Sequence, residues 1–380
     1  MLGGLQEGAH QSYILREGTK RVPQEKIGVT KTFLPPLVEY EAYLQQIWSK
    51  RYVTNQGPLL QEFEKKIKKY LGVEDFHFVS NGTAALQLAL NALDITEGEV
   101  ITTPFSYVAS TGAILWERCD PVFVDINPVN FAIDASKIEA AITAKTKAIM
   151  AVHVFGVPCD VDKIAAIARK HKLKVIYDAA HAFGVQYRGK SLLDYGDISV
   201  CSFHATKLFH TIEGGGLIAR HKGVSDRIEL KKRFGHNHDE HIMLGMNAKA
   251  SEFQAAMGLC NLKYVDQNIK RRKQLSELYD RLLGNDFQKL PKMEDTRYNY
   301  AYYPVVVKNE ATLLRHMKAL NNEDVFPRRY FYPSLNTLPY LKSQQRAPIS
   351  EDIARRIMCL PLYVDLSPNI VTNICEVLNT

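Results

Sequence analysis

The chain has 380 residues, 46% hydrophobic and 23% charged, the make-up of an ordinary soluble globular protein with room for one large domain and a smaller one. Its net charge of +7 is scattered: no Lys/Arg block is long enough for a nucleic-acid arm, and the excess mildly favours an anionic small molecule such as a nucleotide. No apolar run can span a bilayer, and the six widely spaced cysteines hold no C-x-x-C pair, so the expectation is a reduced, cytoplasmic protein without membrane segment, disulfide framework or zinc site.

Residues 1–26 lack the apolar core of a signal peptide and show no clear periodicity, so they read as an N-terminal extension. From Phe76 onward, short β-branched runs alternate with amphipathic segments. The strand candidates are FHFVS (76–80), EVITT (99–103), PVFVD (121–125), KAIMAVHVF (147–155), LKVIYD (173–178), DISVCSF (197–203) and GLIAR (216–220). The clearest helices between them are Thr83–Leu93 and Val161–His171, the latter with Asp160 as N-cap. This alternation predicts an α/β fold: a mostly parallel seven-stranded sheet with helices on both faces. Helical segments then cover 250–284, and YYPVVV (302–307) is the clearest strand of a smaller α+β domain. The expected division is 27–250 for the large domain and 251–380 for the small one.

In such sheets ligands gather at the carboxyl ends of the strands, and the residues there are informative. SNGTAALQLAL (80–90) places Asn81, Gly82 and Thr83 between a strand and a helix. Free N–H groups at a helix start, with a small residue allowing close approach, suit a phosphate; a plainly capped helix is the other reading. VIYDAAHAFG (175–184) ends an apolar strand on Asp178. A carboxylate there needs a cationic partner, such as a protonated ring nitrogen, or nearby backbone amides. His181, three residues on, either touches the same ligand or packs.

SFHATK (202–207) sets Ser202 and Lys207 after another apolar strand. A desolvated lysine loses its proton more readily and can form a Schiff base with an aldehyde, although a lone lysine is ordinarily a surface charge. The glycines at 214–216 are read as a sharp turn behind it. An anion cradle, a strand-end carboxylate and a strand-end amine, in that order, are the set that pyridoxal 5'-phosphate (PLP) requires.

At these residues the chain resembles the fold type I PLP enzymes, and within them the nucleotide-sugar aminotransferases of the DegT/DnrJ/EryC/StrS type. The resemblance is carried by SNGTAALQLAL, VIYDAAHAFG, SFHATKLFHTIEGGG and NAKASEFQAAMG and runs from about Ile27 to the C-terminus. It implies that Lys207 bonds the cofactor aldehyde and Asp178 pairs with the pyridine nitrogen. Gly82, Thr83 and Ser202 would take the phosphate, and Tyr107 in TPFSYVAS would stack on the ring. His181 stands where many members carry Gln near the ring hydroxyl, and adds a charge that titrates near pH ~6.5. Asn247, in GMNAKASEF, would reach the phosphate of a neighbouring subunit, which implies a homodimer with shared active sites. Lys249 stands where many relatives have Arg.

WSKRYVTNQGP (48–58) resembles the segment at the active-site mouth, with Thr54, Asn55 and Gly57 lining the sugar pocket. RRYFYPSL (328–335) resembles a loop closing over the cofactor, with Arg329 and Tyr332 its functional members. RFGHNHDEH (233–241) reads as a polar loop rather than a metal site, because its spacing fits no standard set. The implied activity is a two-stage amino transfer from L-glutamate to a nucleotide-linked keto-sugar, with pyridoxamine phosphate as the intermediate form of the cofactor. VTKTFLPPLVEYEAYLQQIW (29–48) and FHATKLFHTIEGG resemble the branch that aminates carbon 4 of dTDP-4-keto-6-deoxyglucose. Amination at carbon 3, a GDP- or UDP-linked sugar, and a non-catalytic regulator or binding module on the same fold remain open.

Overall fold

The computed structural model describes residues 26–342 and 345–380; of the extension read at 1–26, all but Lys26 lies outside the described residues. Its centre is a seven-stranded sheet: β1 (His77–Val79), β2 (Glu99–Thr102), β3 (Asp120–Phe123), β4 (Thr146–Val152), β5 (Lys174–Asp178), β6 (Ile198–Ser202) and β7 (Gly215–Ala219). All seven coincide with the strands expected from the sequence, to within a residue or two at each end for most and three at the end of β4. The order is β1-β7-β6-β5-β4-β2-β3. The β3/β2, β2/β4, β4/β5 and β5/β6 pairs are parallel, and β7 runs antiparallel to both neighbours. Both faces are covered by helices, which is why β4 and β5 read as near-continuous apolar runs rather than alternating ones.

Four helices matter for the site. α1 (Leu37–Lys50) and α2 (Pro58–Leu71) lie before the sheet. α2 starts on a proline, ends on Gly72 in the left-handed region, and buries Leu59, Leu60, Phe63, Ile67 and Leu71 as one apolar stripe. α3 (Gly82–Ala92) and α4 (Val108–Trp116) follow β1 and β2. α5 (Val161–His171) has the bounds expected from the sequence, and the Asp160 carboxylate accepts from the Lys163 amide at 3.1 Å.

After α6 (Lys222–Lys231) come α7 (Glu252–Leu262) and α8 (Val265–Leu282). The C-terminal part is a three-stranded antiparallel sheet of β8 (Gln288–Lys289), β9 (Tyr303–Val306) and β10 (Ile357–Leu360), with α9 (Glu310–Asn322) and α10 (Pro368–Asn379). The packing does not change at residue 250. Ala255 and Leu259 of α7 share a core with Leu60 and Phe63 of α2, whereas Leu275 and Tyr279 of α8 belong to the C-terminal core. The apolar face of α7 thus packs against the large layer.

Register brings the chemistry to one edge of the sheet. Val152, Asp178 and Val200 are in line across β4, β5 and β6. Because β7 is reversed, its first residues lie at that same edge: Gly215 pairs with Ser202 on one side and with Val79 on the other.

Candidate active site

A cleft of about 750 Å³ opens at this edge, lined by Gly82, Thr83, Tyr107, Asp178, Ser202 and Lys207 among others. Asp178 ends β5 and is 5% exposed. One carboxylate oxygen accepts from the Ser110 hydroxyl at 2.7 Å and the other from the Ala180 amide at 3.1 Å. Burial raises its pKa above the ordinary carboxylate range, and these two donors and the Lys207 charge oppose that shift. An ionised carboxylate can accept about four hydrogen bonds, so capacity remains for a cationic partner on the cleft side.

Lys207 sits in the excursion between β6 and β7. Its amide donates to His204 O, and Phe203 N–H donates to Gly214 O where the excursion closes. Burial lowers the amine from 10.5 to about 8, against the pull of Asp178 and Tyr107. A substantial neutral fraction near neutrality is what a nucleophilic lysine requires.

The glycines at 214–216 are not the turn that the sequence suggested. Gly215 and Gly216 belong to β7, and none of the three has a positive φ; the chain turns at Ile212, φ 71°. They serve close approach instead. A Cβ on Gly215 would sit 2.5 Å from Asn81 O and 2.8 Å from Gly82 N, so the strand lies directly against the start of α3.

That start is an anion cradle. Asn81 caps α3 by accepting from the Ala84 amide at 2.8 Å, which leaves the first-turn amides of Gly82 and Thr83 without intrahelical acceptors. A Cβ on Gly82 would come within 3.0 Å of Ser202 Cβ, so Gly82 and Ser202 form adjoining walls. The Ser202 hydroxyl faces the same space. Gln254, which with Ser251 makes the capping box of α7, donates to Glu213 O at 2.8 Å and braces the cradle from below. Two amides, one hydroxyl and a helix N-terminus fit a phosphate, and with Asp178 and Lys207 they fit PLP.

His181 also lines the cleft, but not as a titrating group. Its Nδ1 accepts from the Phe155 amide at 3.2 Å, its ring stacks within 10° of coplanar on Phe331, and burial pushes its pKa well down. The expectation of a charge near neutral pH is overturned, because a packed ring already accepting a hydrogen bond is held neutral. Tyr107 precedes α4 and is 56% exposed, with its ring available at the cleft wall.

Asn247 lies on the rim of the chain's own cleft and accepts from the Lys249 amine at 2.8 Å. Lys249 itself packs over the Phe234 ring and is not a lining residue. Thr54, Asn55 and Gly57 do not line this cleft either. Gly57 is packed where a Cβ would strike the buried Glu252, whose carboxylate caps the start of α2 by accepting from Leu59 and Leu60 amides at 2.9 Å.

Arg329 and Tyr332 are turned elsewhere. Arg329 pairs with Glu310 at 2.6 Å, donates to Arg355 O and lies over the Tyr332 ring. Arg328 and Tyr330 line the cleft instead. Arg328 is held in a β-bridge to Cys359, where the adjacent Arg329 faces the opposite side, and the chain then turns at Tyr330 and Phe331. Ser110 was also missed: a hydroxyl inside an apolar helix carries no pattern of its own. Among the described residues no group of His, Cys, Asp and Glu is placed to hold a metal ion, and His236, His238 and His241 lie on a small hairpin.

Comparison with known proteins agrees with this geometry. The chain is 41% identical over 356 residues to a dTDP-4-amino-4,6-dideoxy-D-glucose transaminase of Shigella dysenteriae, covering 92% of this chain and 97% of that one. It is 35% identical over 342 residues to a GDP-perosamine synthase of Escherichia coli O157:H7, covering 89% and 94%. The crystal structure of DesI in the presence of its TDP-sugar product superposes with a TM-score of 0.88 at 30% identity, covering 93% of this chain and 92% of that one. The model of the DegT/DnrJ/EryC1/StrS aminotransferase family matches residues 38–379. The chain is therefore a member of the DegT/DnrJ/EryC1/StrS aminotransferase family.

Proposed function

We propose that this protein is a PLP-dependent nucleotide-sugar aminotransferase that moves the amino group of L-glutamate to carbon 4 of dTDP-4-keto-6-deoxyglucose. The observation that carries the reading is the convergence of the Lys207 amine, the Asp178 carboxylate and the Gly82–Thr83–Ser202 cradle on one cleft. The names of the relatives support the sugar and the ring position.

When bound, PLP supplies an aldehyde for amine exchange and a ring that accepts the electrons of a broken Cα–H bond. Lys207 would hold it covalently, Gly82, Thr83 and Ser202 would hold its phosphate, and Tyr107 and His181 would flank its ring. Asp178, ionised, would favour a proton on the pyridine nitrogen. The neutral Lys207 Nζ would take the proton from the donor's α-carbon and deliver it to the cofactor's aldehyde carbon, completing the first half. In the second half the same Nζ would move a proton the other way, to carbon 4 of the sugar, so one residue serves both directions. Tyr302, Tyr330 and Phe331 give one side of the cleft an aromatic wall.

The assembly is read as a homodimer. Phe234, Ile242 and Leu244 are exposed apolar side chains on the hairpin region leading into Asn247, which supports a second copy covering them. All six cysteines are free thiols and no described helix is long and apolar enough to cross a membrane, which supports a cytoplasmic site of action.

The test is turnover of a panel of nucleotide keto-sugars with L-glutamate, with products identified by mass and NMR. The expected product is dTDP-4-amino-4,6-dideoxyglucose with one equivalent of 2-oxoglutarate. Amination at carbon 3, or preference for a GDP- or UDP-linked sugar, replaces the substrate while leaving the cofactor chemistry. A protein that stays colourless with added PLP and transfers no amine overturns the reading in favour of a binding module.

A further inference from the structure

The anion cradle hangs from an edge strand. β1 has three residues, stands beside β7 at the edge of the sheet and runs straight into Ser80, Asn81 and Gly82. A buried polar cluster at His77 holds it; His77 is 6% exposed and is not a lining residue of the cleft. His77 Nδ1 faces Glu229 Oε2 at 3.2 Å, and Nε2 faces Ser225 Oγ at 2.9 Å and Asp75 Oδ2 at 3.4 Å. The Ser225 hydroxyl gives its proton to the other Asp75 oxygen at 2.9 Å, so its own oxygen can only accept from the ring. Both ring nitrogens therefore donate, which makes the ring an imidazolium.

Charges face this ring from each element packed on it. Glu229, on α6, also meets Lys232 Nζ at 2.9 Å, Arg233 Nε at 3.9 Å and the side-chain amide of Gln56. Lys232, 2% exposed, reaches Glu64 of α2 at 3.5 Å, and Glu64 accepts from the Phe78 amide of β1 at 2.7 Å. Asp75 accepts from the Ala219 amide of β7 at 3.1 Å. Burial opposes a charge on His77, and Lys232 repels it. Asp75 and Glu229 outweigh both, and the ring's pKa is raised above the ordinary 6.5. Backbone hydrogen bonds then lead from α6 back to the cradle. Lys231 O and Lys232 O accept from the Met246 and Ala248 amides at 2.8 and 3.0 Å, Ala248 O accepts from the Ser80 amide at 2.8 Å, and Val79 bridges Lys249.

We infer that His77 is a positioning residue for the phosphate cradle: its charged ring ties β1 to α6, and that tie sets where Ser80, Asn81 and Gly82 stand. The inference rests on the cofactor reading above. With the ring charged, His77, Lys232 and Arg233 face Asp75, Glu229 and Glu64. Loss of the ring proton leaves a buried carboxylate short of its cation, and the tie across β1 weakens. The grip on a phosphate is therefore full below the ordinary histidine value and is lost as pH rises through the raised midpoint of His77.

The test uses the full chain with isotope-labelled histidine. The His77 NMR signal, identified by its loss in His77→Gln, is titrated with and without saturating PLP. The expected result is a midpoint that PLP raises by about one pH unit, since coupling between two sites is reciprocal. The Kd for PLP in His77→Gln should then be about tenfold weaker than in the parent near pH ~6 and converge on it above the His77 midpoint. Lys207 and the phosphate titrate in both proteins, so they cancel in that ratio. Glu229→Gln cuts the tie and keeps the ring, and the shift should shrink there. A midpoint that PLP leaves unmoved overturns the inference, whether or not His77→Gln folds. A shift kept in full in Glu229→Gln overturns it too, because the phosphate then acts by its direct field. So does a Kd ratio that is the same at every pH, which leaves the ring a packing role alone. If the parent binds no PLP, it is the cofactor reading that fails, and inorganic phosphate in place of PLP still decides whether an anion in the cradle moves His77.

Discussion

The Ser110 hydroxyl donates to Asp178 Oδ2 at 2.7 Å while standing 2.8 Å from the Ser106 hydroxyl, so a buried pair of serines backs the carboxylate from the start of α4. The bond opposes the desolvation that raises the Asp178 pKa. Removing it in Ser110→Ala moves that pKa further up. The acidic limb of the kcat/KM profile then shifts to higher pH, by about one unit for a bond worth roughly 1.5 kcal/mol. Ser110→Thr retains the donor and keeps the parent profile. An unmoved acidic limb in Ser110→Ala removes the role.

Lys207 should govern the pH dependence of cofactor capture. Its amine is lowered to about 8, so the neutral, reactive fraction rises as pH climbs toward that value and levels above it. Stopped-flow absorbance of apoprotein mixed with PLP should show a capture rate that increases about tenfold per pH unit well below the pKa and then flattens. A flat rate from pH 6 to 9 contradicts a depressed amine. Lys207→Ala should give no visible band at any pH.

His181 should contribute no ionisation between pH 5.5 and 7.5. Its Nδ1 already accepts from Phe155 N–H and burial disfavours the imidazolium. His181→Gln can offer a side-chain oxygen to the same amide. Its pH–rate profile should therefore keep the parent shape, with kcat within a few-fold. Disappearance of a limb near pH 6.5 in the variant counts against this.

Gly215→Ala tests the close approach of β7 to the cradle. The added methyl meets backbone atoms at 2.5 to 2.8 Å, which cannot rotate away as a side chain would. The expected cost is about 1–3 kcal/mol in stability, read by urea unfolding, with weaker PLP binding to the folded fraction. Unchanged stability together with unchanged PLP affinity excludes the spacing argument.

Arg272 on α8 should be a fixed joint. It is buried and donates to three carbonyls, of Tyr300, Ala301 and Leu362, at 3.2, 3.0 and 2.7 Å. Arg272→Met leaves those acceptors without partners beside Tyr302. A loss of at least about 2–3 kcal/mol in unfolding free energy is expected, measured by chemical denaturation. A loss below 1 kcal/mol means that water replaces the guanidinium.

Much of the sheet was legible because burial on both faces forces the same apolar, β-branched wording on all seven strands. The positions of Asp178, Ser202 and Lys207 followed from that, since they stand at or just beyond strand ends. What failed to show were relations that a linear pattern does not encode. Ser110 meets Asp178 across 68 residues of chain. Which of two adjacent arginines faces inward depends on the register of the 328–330 segment against Cys359. A glycine needed for a turn and one needed for close approach are written identically, which is why 214–216 misled. The packing of α7 was equally invisible: it looks like the start of a helical region, and its contacts with α2 are not written in the sequence pattern.

The excursion that carries Lys207 leaves the sheet at Phe203 and returns at Gly214, joined at its base by Phe203 N–H to Gly214 O and Thr211 N–H to Phe203 O. Such a pinched base isolates what lies beyond it. Lengthening or shortening the tip would move the amine in or out while leaving the two strands in place. Divergence between enzymes of this architecture can therefore adjust the reach of the nucleophile at little cost to foldability, and a laboratory library aimed at bulkier acceptors would do best to vary residues 204–206 and 208–210, keeping Lys207 and leaving the pinch untouched.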